Sequence, residues 1–170
     1  DYAFFRSVGY WQGRPVYKSA KSSNEMEIPF QPFLDVCRWI KDNTKRTSAF
    51  INPTYIREFR TCTERQGFLA VKVDGIMAAF DRRFASIYLK RFLDIHKGLT
   101  VHDLPELADD KFQAYRLIRS KYLSLNKHRI EEIKQIYPGY EFFLTESSHK
   151  LPYPVIYSNS YFILYNIKQL

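Results

Sequence analysis

Clustered carboxylates are the residues of this sequence whose types and spacing most resemble reaction chemistry. The clusters are Asp103 with Glu106, Asp109 with Asp110, and Glu131 with Glu132. Nucleases bind Mg²⁺ through such oxygen ligands, so a Mg²⁺-dependent nuclease is one hypothesis. The first two clusters, however, precede predicted helices, where acids complement the helix dipole. The third alternates with lysines and has the pattern of a solvated helix face, so the nuclease is the weaker alternative.

Histidine, cysteine, serine and glycine patterns do not indicate a metal or catalytic site. The four histidines form no HxxH, HxxxH or HExxH spacing, and no CxxC, GxSxG, GxGxxG or GxxxxGK[ST] motif occurs. Cys37 and Cys62 fall on the apolar faces of predicted helices, which indicates two reduced, buried thiols and favours an intracellular protein, nuclear or cytoplasmic. We therefore expect no metal, no cofactor and no catalytic residue, and a protein that is not an enzyme.

Basic residues are the most informative feature. The chain carries 26 Lys and Arg against 18 Asp and Glu, a formal charge of +8. Residues 111–129 contain six cations and no acid, and Arg83, Lys90 and Lys97 recur every seven residues on a predicted helix. Two neighbouring helices with such faces can follow a phosphate backbone. The predicted nucleic-acid-binding residues are Arg82, Arg83, Lys90, Arg91, Lys97, Lys111, Arg116, Arg119, Lys121, Lys127 and Arg129.

These patterns predict a non-enzymatic nucleic-acid-binding domain that contacts the backbone of DNA or RNA through basic helix faces. The alternative is a structural or assembly protein that binds a protein partner or itself through aromatic-rich strands, because aromatic side chains are enriched at interfaces. The aromatic residues of the C-terminal hairpin that suggest it are Tyr153, Tyr157, Tyr161, Phe162 and Tyr165.

The elements that must position these residues give an α+β chain of one domain, 1–170. N- and C-terminal β-hairpins are expected to form a sheet with a central bundle of about five helices. The predicted hairpins cover 3–20 and 154–167, further strands cover 68–73 and 140–145, and the predicted helices cover 32–43, 53–66, 75–97, 109–124 and 126–137. Asn52 and Asn126 are the expected N-caps of the second and last helices, and the polar run Lys45-Arg46-Thr47-Ser48 is expected to end the first. Helical spacing places Val36 with Ile40, and Ile130 with Ile133, on apolar faces. No apolar run reaches ~18 residues, so no membrane span is predicted.

Asp74-Gly75 leaves two arrangements open. As an N-cap, Asp74 begins the long basic helix 75–97; as a turn, Asp74-Gly75 makes a hairpin. The hairpin arrangement resembles a winged helix-turn-helix in element order. Helix 53–66 would then offer Arg57, Arg60 and Arg65 to a major groove, with Lys72 on the wing.

Overall fold

A computed structural model describes residues 28–69, 81–103 and 110–168 of the chain, in which a five-stranded mixed sheet carries α-helices on both faces. The helices are α1 (Phe30–Asn43), α2 (Phe59–Thr63), α3 (Arg82–Ile95), α4 (Lys111–Leu123) and α5 (Lys127–Ile136), with a 3₁₀ turn at Val101–Asp103. The strands are β1 (Ala49–Ile51), β2 (Gln66–Gly67), β3 (Tyr140–Glu146), β4 (Val155–Ser158) and β5 (Phe162–Asn166). The mixed α+β class that the sequence predicts is confirmed.

The sheet combines a parallel half and an antiparallel half in the order β2-β1-β3-β5-β4. β1 pairs in parallel with β2 on one side and with β3 on the other, where Phe50 lies opposite Phe142. β3, β5 and β4 pair antiparallel, and Phe143 lies opposite Tyr165. Parallel strands need crossover connections, which helix α2 supplies between β1 and β2, and helices α3 to α5 supply between β2 and β3.

Two apolar cores lie on opposite faces of this sheet, because successive strand residues point to opposite sides. Phe50 and Leu144 pack with α1 and α2 on one face. Their neighbours Ile51 and Phe143 pack with α3, α4 and α5 on the other. Strands covered on both faces are apolar along their whole length, which explains the continuous runs AFI and FILY.

Side-chain caps set the start of three helices. Asp81 accepts hydrogen bonds from the Arg83 and Phe84 amides at the start of α3, and Asp110 and Asn126 do the same for α4 and α5. The predicted helix 75–97 is not continuous, since α3 begins at Arg82 under the Asp81 cap, and residues 75–80 of that prediction lie outside the described residues. It ends at Ile95, shortly before Gly98, which adopts φ +91°. The Asp74-Gly75 question falls outside the described residues.

The predicted helix 53–66 is too long, because only Phe59–Thr63 is helical and Asn52, just before the predicted start, makes a tertiary contact. Its Oδ1 accepts from the Phe68 amide at 2.9 Å and its Nδ2 donates to the Leu69 carbonyl at 3.3 Å. Residues 52–58 therefore stay outside regular helix, and α2 is a short helix that ends at Thr63, followed by the C-cap residue Glu64 with φ 55°. The second strand is Gln66–Gly67; Phe68 and Leu69 follow it outside regular structure, and the rest of the predicted strand 68–73 lies outside the described residues.

The expected central bundle of helices is replaced by two layers, one on each face of the sheet. β4 and β5 form an antiparallel pair near the C-terminus. The predicted N-terminal hairpin 3–20 lies outside the described residues, so the pairing of two terminal hairpins stays a prediction. In the three described ranges, no helix has the length and apolarity needed to cross a bilayer.

Candidate functional site

The carboxyl end of β1 is the point where the strand order reverses. From β1 the chain moves to β2 on one side, then returns past β1 to β3 on the other, with the connecting helices on opposite faces. Open α/β sheets bind ligands in the crevice that such a reversal creates. Here the Tyr122 hydroxyl spans the two strands, donating to the Leu144 carbonyl at 2.7 Å and lying 3.3 Å from that of Ile51.

An ion pair between a buried carboxylate and a guanidinium that is one-third exposed occupies this end of the sheet. The Arg119 guanidinium donates from Nε and Nη2 to the two Glu146 carboxylate oxygens, each at 2.6 Å, and the Tyr55 hydroxyl donates to Glu146 at 2.8 Å. Glu146 is only 4% exposed. Burial and the nearby Glu146 charge raise the pKa of the Tyr55 phenol, and burial raises that of Tyr115 to about 12. The two phenols therefore stay protonated near neutral pH, and the hydrogen bonds of Arg119 and Tyr55 to Glu146 tie α4 and the loop after β1 to the end of β3.

One buried histidine, His96, and one half-buried histidine, His149, are held by hydrogen bonds within the fold. The His96 Nδ1 donates to the Phe92 carbonyl at 2.8 Å, and its Nε2 accepts from the Thr54 hydroxyl at 2.7 Å. Burial lowers the pKa of His96 to about 4, so the ring is neutral at neutral pH. The pKa of His149 is also lowered by burial, and its ring bridges Thr145 and the Leu125 carbonyl.

The carboxylates of the suggested metal clusters have other partners where the structure describes them. Asp103 accepts from the amide and hydroxyl of Thr100, and Asp110 caps α4. Glu131 binds Lys134 and the Tyr153 hydroxyl, and Glu132 binds Arg129. Within the described part of the chain, no three His, Cys, Asp or Glu side chains come together as metal ligands would.

A cleft of about 720 Å³ opens beside strand β2 and helix α3, and it concentrates positive charge. Its walls come from the loop between α1 and β1, the end of α2, strand β2 and one face of α3. The lining residues are Arg46, Arg60, Glu64, Arg65, Gln66, Gly67, Leu69, Phe84, Ile87, Tyr88 and Arg91. Four arginines and one acid therefore face the same space.

The arginines of the cleft differ in their exposure and in the contacts that they make within the fold. Arg65 is buried and donates to the carbonyls of Lys41 and Thr44 at 2.8 and 2.9 Å, which fixes it as part of the wall. Arg46 and Arg60 are exposed. The guanidinium of Arg91 lies 5.4 Å from the Tyr137 ring centroid, and its Nε is buried without a hydrogen-bond acceptor among the described residues.

Glu64 does little to neutralise the cleft. Its carboxylate forms an ion pair with the Lys41 ammonium at 2.6 Å, and that contact is the main reason for its lowered pKa, with Arg46 and Arg65 adding to it. The acid is thus already charge-balanced by a lysine that does not line the cleft, and the arginines keep a net positive field there.

The structure divides the eleven predicted binding residues into groups. Arg91 alone lines the cleft. Lys90, Arg119 and Arg129 are in ion pairs with Asp94, Glu146 and Glu132. Arg82, Arg83, Lys97, Arg116 and Lys127 are exposed, Lys121 is half-buried, and the Lys111 side chain is outside the described part.

Sequence reasoning missed Arg46 altogether and assigned Arg60 and Arg65 only to the winged alternative. The available signal was the polar run Lys45-Arg46-Thr47-Ser48, which was interpreted only as a break between elements. These arginines approach Arg91 because β1 and β2 pair in parallel, which places the loop before β1 beside the end of α2.

No protein-family model, no curated protein and no solved structure matches this chain. The cleft is therefore interpreted from its own chemistry.

Proposed function

We propose that this chain is a non-enzymatic nucleic-acid-binding domain, and that the cleft beside β2 and α3 holds the phosphates of a nucleic-acid strand. The observation that carries the proposal is the convergence of Arg46, Arg60 and Arg91 on one cleft of about 720 Å³. Arginine suits this role because its planar fork of donors matches phosphate oxygens and its charge is permanent.

Arg91 gives the cleft a specific reason to bind an anion. Its guanidinium lines the cleft, where its donors can meet phosphate oxygens. The aromatic rings of Phe68 and Tyr137 beside the guanidinium restrict its motion, so little order has to be gained on binding.

The apolar side chains on the α3 wall favour a nucleic acid over a free inorganic anion. Phe84, Ile87 and Tyr88 line the cleft next to Arg91, and Ile87 is 49% exposed. Bases or sugars of a strand can cover this apolar surface while the phosphates meet the arginines. Arg83 lies one turn before Ile87 on the same side of α3 and extends the basic surface.

The test is the affinity of the full chain for labelled single-stranded and duplex DNA and RNA as a function of salt, by fluorescence anisotropy. We expect binding near about 50 mM salt that weakens as salt rises, with a logarithmic slope of about −0.7 per phosphate contact on a single strand. The variant Arg46→Gln/Arg91→Gln should lose about two such contacts, so its slope should be shallower by about 1.4.

The matched control removes two exposed cations that do not line the cleft, in the variant Arg116→Gln/Lys127→Gln. Both variants lower the charge equally, so a general charge effect would weaken binding equally in both. An equal loss in the two variants, or unchanged binding in the cleft variant, overturns the cleft assignment. Absence of binding at the lowest salt overturns the nucleic-acid function. Circular dichroism confirms that each variant is folded.

The assembly function stays a second candidate because of one surface beside β4. Val155 is 52% exposed on this strand, which has no partner on its outer side among the described strands. Tyr157 of the same strand packs on Trp39, with ring centroids 5.1 Å apart. Phe162 and Tyr165 are buried in the cores and are not available to a partner. Light scattering at several concentrations tests this candidate, and a strict monomer contradicts self-assembly.

A further inference from the structure

The two cysteines of the chain meet where α1 packs on α2. Cys37 lies on α1 and is 2% exposed, within the apolar core on that face of the sheet. Cys62 lies on α2, is half-buried and packs against the same core. Both are free thiols, and their side chains are hydrogen-bonded to each other. The fold thus brings together two sulfur atoms from positions 37 and 62.

The two thiols have different environments. The Cys37 S–H donates to the Cys62 sulfur, which lowers the pKa of Cys62 and raises that of Cys37. Lys41, one turn after Cys37 on α1, adds a positive charge that favours a thiolate at Cys62, whereas the Glu58 carboxylate and burial act against it. Thiolates, not thiols, attack oxidants. Cys62 is the more exposed of the two side chains and is therefore the accessible nucleophile, and Cys37 is the buried partner beside it.

We propose that Cys37 and Cys62 form a reversible redox site that a peroxide converts to an intramolecular disulfide. The Cys62 thiolate attacks one peroxide oxygen and the O–O bond breaks, giving a sulfenic acid and hydroxide. The Cys37 sulfur then attacks the sulfenic sulfur, the S–O bond breaks, and hydroxide leaves with the Cys37 proton as water. The two thiols are oxidised by two electrons, and the peroxide is reduced.

The crosslink would join the helix before β1 to the helix after it. A disulfide that closes a loop of this size restricts the unfolded chain and so stabilises the fold. It would also hold α2, which carries Arg60, against α1. The redox site rests on the contact of the two helices alone and does not depend on what the arginine cleft binds.

The experiment treats the folded full chain with hydrogen peroxide, then blocks remaining thiols with iodoacetamide and measures the intact mass. The expected product is a monomer lighter by two hydrogen atoms that takes up no alkyl group. Peptide mapping should link Cys37 to Cys62, dithiothreitol should restore both thiols, and the oxidised form should have a higher Tm than the reduced form.

Two variants separate the roles of the thiols. In Cys37→Ala, the sulfenic acid at Cys62 should persist and be trapped by dimedone, because no second thiol is present to react with it. In Cys62→Ser, Cys37 should react at least tenfold more slowly. Circular dichroism before and after treatment shows that the reaction occurs in the folded state.

Three results would overturn the redox site. One is a disulfide that forms only between molecules. The second is oxidation of Cys37 in Cys62→Ser at the rate of the unaltered chain. The third is resistance of both thiols to peroxide until the protein is unfolded by urea.

Discussion

Arg119 of α4 and Glu146 at the end of β3 form a two-pronged ion pair, with both N···O distances at 2.6 Å. The contact ties the helical layer on one face to the carboxyl edge of the parallel strands. Tyr55, in the loop after β1, donates a third hydrogen bond to the same carboxylate. These contacts lie at the edge where the strand order reverses.

This geometry predicts that Glu146→Gln is strongly destabilising. Removing the buried carboxylate leaves the Arg119 guanidinium, which is one-third exposed, without its charged hydrogen-bond partner, and we expect a loss of about 2 kcal/mol in the free energy of unfolding. Urea denaturation measures it. Asp35→Asn is the control, because the exposed Asp35–Arg38 pair at 3.9 Å should contribute less than about 0.5 kcal/mol. The apolar pair Arg119→Met/Glu146→Leu should recover much of the loss, and a double variant no better than Glu146→Gln would contradict this account.

The lowered pKa of His96 predicts that the folded protein loses stability in mild acid. Its pKa is about 4 in the fold against 6.5 for an unperturbed histidine, so the unfolded chain takes up the proton first as pH falls. Its stabilising effect is complete above about pH 6.5 and declines toward about pH 4, with a loss of about 2 kcal/mol by pH 5. His149 acts in the same direction, since its pKa is also lowered.

The measurement is urea unfolding at about pH 7.5 and about pH 5 for the unaltered chain and for His96→Gln. The variant removes the His96 contribution and leaves the other titrating groups in place, so its stability should change less between the two pH values. An identical pH dependence in both proteins would show that His96 does not carry the effect.

The hydrogen bonds of Arg65 predict that a positive charge alone would not stabilise the C-terminal end of α1. Its guanidinium donates to the carbonyls of Lys41 and Thr44 and, through Nε, to the Thr44 hydroxyl at 3.1 Å. Lysine keeps the charge but loses the planar fork, so Arg65→Lys should destabilise by about 2 kcal/mol. Thermal unfolding compared with Arg46→Lys, at an exposed position in the same cleft, provides the check. Equal Tm values for the two variants would contradict the role of the fork.

The close packing around Gly67 predicts that a larger residue at this position of strand β2 would destabilise the fold. A Cβ at this position would lie 2.6 Å from Asn52 Oδ1, the oxygen that accepts the Phe68 amide hydrogen bond. Gly67→Ala should therefore displace Asn52 and destabilise the fold by about 2 kcal/mol or more. Gly139→Ala is the comparison, because a Cβ there meets nothing within 4 Å and only the φ of +100° is unfavourable, at about 1 kcal/mol. A smaller Tm loss in Gly67→Ala than in Gly139→Ala would contradict the packing argument.

The sequence by itself determined the features that depend on neighbours a few positions apart. The helix faces built on Val36 and Ile40, and on Ile130 and Ile133, were predicted and are buried. Asn126 was predicted as a cap and caps α5. Spacing of three or four residues and the chemistry of a capping side chain act locally, so these features can be derived before any tertiary contact is known.

Only the tertiary structure decided which distant residues meet. Asn52 was predicted as a helix cap, but it binds the backbone of Phe68 and Leu69 instead. Arg119 was assigned to a phosphate contact, but the parallel pairing of β1 with β3 places Glu146 beside it. The parallel pairing of β1 with β2 likewise brings Arg46, Arg60 and Arg91 together at one cleft. Charge and polarity can be taken directly from the sequence. Which distant residues come into contact is set by the strand order, and short-range patterns do not encode that order.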